Sequence, residues 1–253
     1  MTPFEKSRSG APPGFFAVEA AGLAWLGAVE ALRVGQVVDV TADRLRLDRV
    51  VEVPPTASAA EQLGRGLARV HRAGAPHHGA PPDGWTGDGF IATLPLPHLD
   101  HAGPGWAEFY AGSRLSPYVG IAADHGGLDD DGVRTIERVM SRLVDGRLSA
   151  PDAEPARLHG DLWSGNVLWS ADGPVLIDPA AHGGHRETDL AMLDLFGLPH
   201  LDRVLAAYDE TWQLDDGWRE RVPLHQLHPL LVHAALFGGG YGAQAVAAAR
   251  RYV

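Results

Sequence analysis

Asp161 and Asn166 stand five residues apart, and Asp178 follows twelve residues after the asparagine. These types in this order suit metal-assisted phosphoryl transfer, in which an aspartate accepts the proton of an attacking hydroxyl and an asparagine five residues on holds Mg²⁺. The intervening residues supply a scaffold: Val167–Trp169 and Val175–Ile177 read as two short strands around the turn Ser170–Pro174. If Trp169 pairs with Val175, the antiparallel register puts Asn166 opposite Asp178. Two hard oxygen donors then converge, a partial shell that Mg²⁺ accepts with phosphate oxygens and water completing it. Turn chemistry accounts for Asp172 and Gly173. It does not account for His159-Gly160-Asp161 before the hairpin or Ile177-Asp178-Pro179 after it.

Positioning that hairpin requires a larger frame. Phe15–Leu32 carries apolar residues at near-helical spacing and includes Glu19. Val34–Val40 and Arg44–Val53 read as strands, and Pro54-Pro55 marks a boundary. Ser58 with Glu61 forms a capping box, opening a helix whose Leu63, Leu67 and Val70 make one stripe. Helices are also expected over Asp129–Leu148, Pro199–Thr211, Trp218–Leu231 and His233–Val253, with a loop at Ser149–Pro155. His182–Glu187 reads as a loop beneath the transferred phosphate, and a helix opening at Asp189 follows it. His77 and His78 are adjacent in a Pro- and Gly-rich loop, without a third ligand at metal spacing.

Composition limits the partners. With 253 residues and 45% of them hydrophobic, the chain has an ample core. A formal charge of −11 repels nucleic acid, and no basic stripe offsets it. The absence of cysteine excludes disulfides, thiolate metal sites and cysteine nucleophiles, and is compatible with a reducing cytoplasm. Residues 222–249 carry no Asp, Glu, Lys or Arg, but their histidines, prolines and glycines favour buried helices broken near Gly238–Gly240 over a membrane span. Of the 21 basic residues, Lys6 is the sole lysine. Its retention fits a phosphate partner, since a compact ammonium and a planar guanidinium are not interchangeable there.

HGDLWSGN at His159–Asn166, LIDPAAHGGHRETDLAMLDLFG from Leu176, and FGGGY at Phe237–Tyr241 together resemble the fructosamine kinase or ketosamine kinase family. That family is a branch of the aminoglycoside phosphotransferase-like group within the protein-kinase-like fold. The resemblance implies an α+β, two-lobe fold. Residues 1–54 would form a partial small lobe of antiparallel sheet, and 55–253 a large, mainly helical lobe. It implies an ATP- and Mg²⁺-dependent kinase acting on a sugar hydroxyl of a ketosamine, with Asp161 as base and Asn166 and Asp178 as metal ligands. Lys6, steered by Glu19, would grip the nucleotide phosphates, and backbone groups of Asp48 and Val50 would meet the adenine. His159 would brace the loop. Trp163 and Asp88 would meet the acceptor, while turn chemistry explains Asp88 equally well. The helix carrying Asp189 would support the catalytic loop. Another phosphotransferase of this fold, acting on an aminoglycoside or choline, is an alternative, as is a catalytically impaired nucleotide-binding protein.

Kinase-like folds place two strands and a glycine-rich turn before the lysine strand. Only five residues precede Lys6. The expectation from this is weak nucleotide affinity and reduced turnover, together with an unpaired sheet edge that invites association of copies.

Overall fold

The computed structural model describes residues 2–103, 105–148 and 153–253. In chain order come β1 (Phe4–Ser7), α1 (Phe15–Gly27), β2 (Arg33–Val34), β3 (Val37–Val40) and β4 (Arg44–Leu47). Period-two alternation in β4 buries Leu45 and Leu47 and turns Arg44 and Arg46 outward. This strand is the centre of an antiparallel sheet ordered β1-β4-β3, in which Lys6 lies opposite Leu45. α1 packs on the sheet through Leu23 and Leu26, both 1% exposed. Its Gly22 faces Pro179 and Ala181, so the helix rests on the segment that follows Asp178. Apolar residues lie on both of its sides because it is covered on both.

Two expectations for this region are corrected. α1 stops at Gly27 rather than Leu32, where the chain turns through Glu30 in a left-handed conformation. Val34–Val40 is not one strand: β2 pairs in parallel with a strand of the catalytic hairpin, whereas β3 pairs with β4. Gly35 makes the transition, since a Cβ there would already touch Leu47 and Ile177. Likewise β4 ends at Leu47, beyond which only Glu52 bridges to Ser170.

α2 (Ala57–Arg72) begins differently from the capping-box reading. Thr56, extended at φ −122°, is the N-cap and its hydroxyl accepts the Ala59 N–H, placing Ser58 inside the first turn. The hairpin β5 (Gly89–Ile91) and β6 (Leu94–Leu96) follows, then α3 (Trp106–Phe109), a π-helical turn Tyr110–Leu115, and α4 (Ser116–Asp124). α5 (Asp130–Val144) is capped by Asp129, which accepts from Gly132 N–H. The loop expected over Ser149–Pro155 lies outside the described residues from 149 to 152.

The remaining elements are β7 (Ala156–Leu158), β8 (Val167–Ser170), β9 (Gly173–Leu176), β10 (His182–Gly184) and five helices. These are α6 (Glu187–Phe196), α7 (Leu201–Thr211), α8 (Trp218–His225), α9 (Leu227–Phe237) and α10 (Tyr241–Ala249). Half of the expected His182–Glu187 loop is strand, because β10 pairs antiparallel with β7, and α6 already opens at Glu187. The helix expected over Trp218–Leu231 is divided at Gln226, and Gly238–Gly240 separates α9 from α10. Among the described residues no helix is long and apolar enough to cross a membrane.

Two clusters of buried side chains hold these layers. One joins α1 and β4 to α2, α7 and the catalytic hairpin through Leu23, Leu47, Leu63, Val167 and Val204, and so crosses position 54. The other fills the helical body around Tyr110, Ile136 and Leu231. α2 and α7 approach so closely that a Cβ on Gly64 would fall inside contact distance of the Val204 carbonyl oxygen. Gly64→Ala is therefore expected to lower Tm by roughly 3–10 °C through overpacking. Gly112→Ala, where nothing lies within 4 Å, should leave Tm unchanged or raise it slightly in the same thermal melt.

Candidate active site

A loop that must place a carboxylate in a crowded interior needs its own backbone donors satisfied. Asp189 on α6, 1% exposed, does this for the catalytic loop. Its Oδ2 accepts the His159 N–H at 2.8 Å and its Oδ1 accepts the Gly160 N–H at 3.0 Å. His71 on α2 adds a contact from Nε2 at 3.1 Å, and its Nδ1 lies 2.9 Å from the Tyr208 hydroxyl. Burial opposes the Asp189 charge, but hydrogen bonding and attraction from His71, with His159 and Gly160, hold its carboxyl below the usual range. Gly160 has φ +81°, and a Cβ there would collide with the Ala180 carbonyl oxygen. Glycine is required at this position on both counts.

His159 is fully buried. Its Nε2–H donates to the Ile177 carbonyl at 2.9 Å and its Nδ1 accepts the Asp161 N–H at 3.3 Å, while burial keeps the ring neutral. With both nitrogens engaged it braces the loop against the strand leading to Asp178. The next residues bend so that Asn166, 4% exposed, donates from Nδ2 to the Asp161 carbonyl at 2.7 Å and to Asp161 Oδ2 at 3.1 Å. The Asn166 amide oxygen and Asp161 Oδ1 are left uncommitted by those bonds.

The hairpin register differs from expectation. Trp169 pairs with Pro174 and Val167 with Leu176, so Asn166 meets Ile177, whose N–H donates to its carbonyl at 3.1 Å. Asp178 is two residues beyond the end of β9 and is brought back by a left-handed backbone, φ +56°. A non-glycine residue held there is uncommon and concentrates at functional sites. The convergence of Asn166 and Asp178 thus comes from a bend after the strand rather than from cross-strand pairing.

Lys6 reaches the same place from β1. Its Nζ lies 2.8 and 2.9 Å from the two Glu19 carboxylate oxygens and 2.9 Å from Asp178 Oδ1. Burial opposes the Lys6 charge, yet Glu19 and Asp178 outweigh it and hold the ammonium above its usual pKa. Burial pushes the Glu19 carboxyl up, against the attraction of Lys6. Burial likewise raises Asp161 to about 6, with Asn166 opposing and the nearby Asp178 and Asp189 charges adding to the rise.

Lys6, Glu19, Asp161, Trp163, Asn166 and Asp178 line one cavity of about 350 Å³. Trp163 is 40% exposed and set edge-on to Phe196, and Gly165 leaves room for its ring. His233 and Phe237 complete that wall. Asp48 and Val50 are not brought there by their side chains, which line a separate cavity of about 650 Å³ with Arg33 and Asp172. Asp88 lies outside both: it is exposed, and its Oδ1 accepts the His98 N–H at 3.0 Å, closing the β5–β6 hairpin.

A buried group of His185, Glu187 and His225 has ligand atoms within 4.8 Å of one another. Arg221 already holds Glu187 by two bonds, at 2.9 and 2.6 Å, and a cation would meet that guanidinium. The group is a buried polar clamp rather than a metal centre. By contrast, Asn166 and Asp178 offer hard oxygens on an open cavity wall, a donor set that fits Mg²⁺. His71 and Arg221 gave no signal in the sequence, since their partners lie 118 and 34 residues away.

The architecture is that of protein-kinase-like phosphotransferases. The aminoglycoside phosphotransferase APH(4)-Ia superimposes with a TM-score of 0.58 at 16% identity, covering 94% of this chain and 84% of that one. A sequence model of the family described as fructosamine kinase matches residues 4–253, and the chain belongs to that family. A "Probable ketoamine kinase" of Lactiplantibacillus plantarum is 36% identical over 234 residues, 90% of this chain and 78% of that protein. The crystal structure of a "putative fructosamine-3-kinase" from Thermobifida fusca superimposes with a TM-score of 0.90 at 49% identity, covering 99% of this chain and 85% of that one.

The Asp189 clamp makes a specific prediction. Asp189→Asn replaces one acceptor by an amide that faces backbone donors, and should destabilise the fold by about 1–3 kcal/mol. Because the Asp189 pKa is depressed in the fold, its charge stabilises above the unfolded value near 3.8, and that contribution disappears as pH falls through the lower folded value. An acid titration followed by circular dichroism should show the wild-type advantage shrinking only below about pH 4.

Proposed function

We propose that the protein transfers the γ-phosphate of ATP to a sugar hydroxyl of a ketosamine, the adduct formed when a sugar condenses with an amine. The observation that carries this reading is the meeting of Asp161, Asn166, Asp178 and the Lys6–Glu19 pair on one cavity, in a chain of the fructosamine kinase family. Asp161 Oδ1, left free by Asn166, accepts the proton of the acceptor hydroxyl as its oxygen attacks the γ-phosphorus and ADP departs. A proton acceptor near pH 6 is matched to work at neutral pH. Asn166 and Asp178 would hold Mg²⁺, which when bound neutralises phosphate charge. Lys6 exchanges its contact with Asp178 for phosphate oxygens while Glu19 keeps it aimed. Backbone groups from Asp48 to Val50 serve the adenine. Trp163 lies along the sugar or its amine carrier, an arrangement that an exposed aromatic face favours.

The test is ATP-dependent phosphorylation of a fructosamine or ribulosamine by the purified chain. Asp161→Asn is expected to reduce transfer by about 10²–10⁴-fold with folding retained; undiminished transfer would remove Asp161 from its role. Wild-type kcat/KM should fall on the acid side of about pH 6, as the carboxylate takes up a proton. The stability effect has the opposite sense. A carboxyl whose pKa is raised by folding favours the fold below the unfolded value, 3.8, and loses that favour as pH rises through about 6. Asp161→Asn should therefore melt above the wild type at neutral pH, and the difference should vanish under acid conditions. Trp163→Ala is expected to raise KM for the ketosamine roughly tenfold while leaving KM for ATP nearly unchanged in steady-state assays.

A further inference from the structure

α1 begins without a side-chain cap: its N-cap is Gly14, left-handed at φ +82°, and its first turn carries no acidic residue. A helix start of this kind depends on tertiary contacts for its order. The contact comes from the loop before β5. A Cβ on Gly14 would lie 2.7 Å from Cη2 of Trp85, so the far edge of the half-buried indole rests directly on the Gly14 backbone. Phe90 of β5 adds a second contact, its ring centroid 5.1 Å from that of Phe15. Glu19, which holds Lys6, follows Gly14 by about one and a half turns of helix.

The hairpin that makes these contacts is itself fastened to the helical body. The Tyr118 hydroxyl on α4 donates to the Pro95 carbonyl at 2.8 Å, and Arg114 donates from Nη1 to the Pro97 carbonyl at 2.7 Å. Both side chains are buried. Arg114 sits in the π-helical turn, a rare form found often at functional sites, and its guanidinium lies 4.6 Å over the Phe109 ring. Trp85 Nε1–H donates to the Gly87 and Asp88 carbonyls at 3.1 and 3.3 Å, which ties the indole to the same hairpin. A continuous series of contacts thus runs from α4 through β6 and β5 to the first turn of α1.

We propose that Trp85 is a positioning residue for the Lys6–Glu19 pair, holding the first turn of α1 to the β5–β6 hairpin so that Glu19 stays aimed at Lys6. Trp85 is not among the residues that line the cavity of that pair, so it acts through α1 rather than on a ligand. The consequence for nucleotide binding rests on the role proposed above for Lys6; the hold on α1 does not. Acceptor binding should be spared, because Arg114 and Tyr118 keep the hairpin in place without Trp85.

The experiment compares the wild type with Trp85→Ala and with Trp85→Phe, whose shorter ring ends before Gly14, each shown to be folded by circular dichroism. Without ligand, hydrogen exchange of the Val18 amide, which donates to the Gly14 carbonyl at 2.9 Å, should quicken at least about fivefold in both variants, while that of Leu143 in α5 should not change. KM for ATP should rise about tenfold and KM for the ketosamine less than about twofold. In a Glu19→Gln background the effect of Trp85→Ala on KM for ATP should largely disappear, because residues acting through one interaction are not additive. Unchanged Val18 exchange in the folded variants would overturn the proposal. So would an equal rise in both KM values, or an undiminished effect of Trp85→Ala in the Glu19→Gln chain. A wild type that phosphorylates no ketosamine would sink the proposed function alone, and the exchange measurement would still decide whether Trp85 holds α1.

Discussion

One ammonium joins the parts of this structure that matter most. Lys6 on β1, Glu19 on α1 and Asp178 at the end of the catalytic hairpin come from three separate elements, and the ammonium ties the two carboxylates together. Because Lys6 and Glu19 are largely withdrawn from water, loss of either would leave a poorly solvated charge, which is far costlier than losing an exposed salt bridge. The position of α1 against Pro179 and Ala181, the short sheet β1-β4-β3 and the parallel contact of β2 with β9 all follow the geometry that this contact needs. Arg157 on β7 adds a tie, donating to the Trp25 carbonyl near the end of α1 at 2.6 Å.

From below, the catalytic loop is built on the opposite principle: a buried acid held by backbone donors and a histidine ring. Asp189 is satisfied by backbone donors, and those bonds fix His159 and Gly160 without using any side chain from the cavity. The loop can then present Asp161 in a partly dehydrated setting, which raises its affinity for a proton, while Asn166 keeps it oriented. Preorganisation of this kind is where phosphoryl-transfer enzymes obtain most of their rate. The clamps at His71–Tyr208 and Glu187–Arg221 extend the rigidity outward into the helical body.

The sequence disclosed which residues meet on the cavity better than it disclosed the path of the backbone. His159-Gly160-Asp161, Asn166 and Asp178 are close in the chain, so their meeting is a local matter, and Lys6 stood out as the only lysine. The strand register was off by one because Asp178 turns through a left-handed backbone that no residue type announces. The division of Val34–Val40 between two sheets escaped periodicity for a related reason: its valines suit either sheet, and the outcome depends on Gly35 lying against Leu47 and Ile177. Thr56 displaced Ser58 as helix cap through its extended backbone, a competition between two good capping residues that spacing alone does not resolve. Long-range polar partners such as His71 with Asp189 are invisible to any local pattern. Asp88 shows the converse error, a polar residue near the expected pocket whose carboxylate closes a hairpin.

The most direct measurement is a crystal structure with a non-hydrolysable ATP analogue, Mg²⁺ and a ketosamine. The account predicts the metal on Asn166 and Asp178, the acceptor hydroxyl at Asp161, and Lys6 released from Asp178 onto phosphate oxygens while still paired with Glu19. Nucleotide phosphates bound away from Lys6, with Lys6 still on Asp178 and no metal at Asn166, would contradict it.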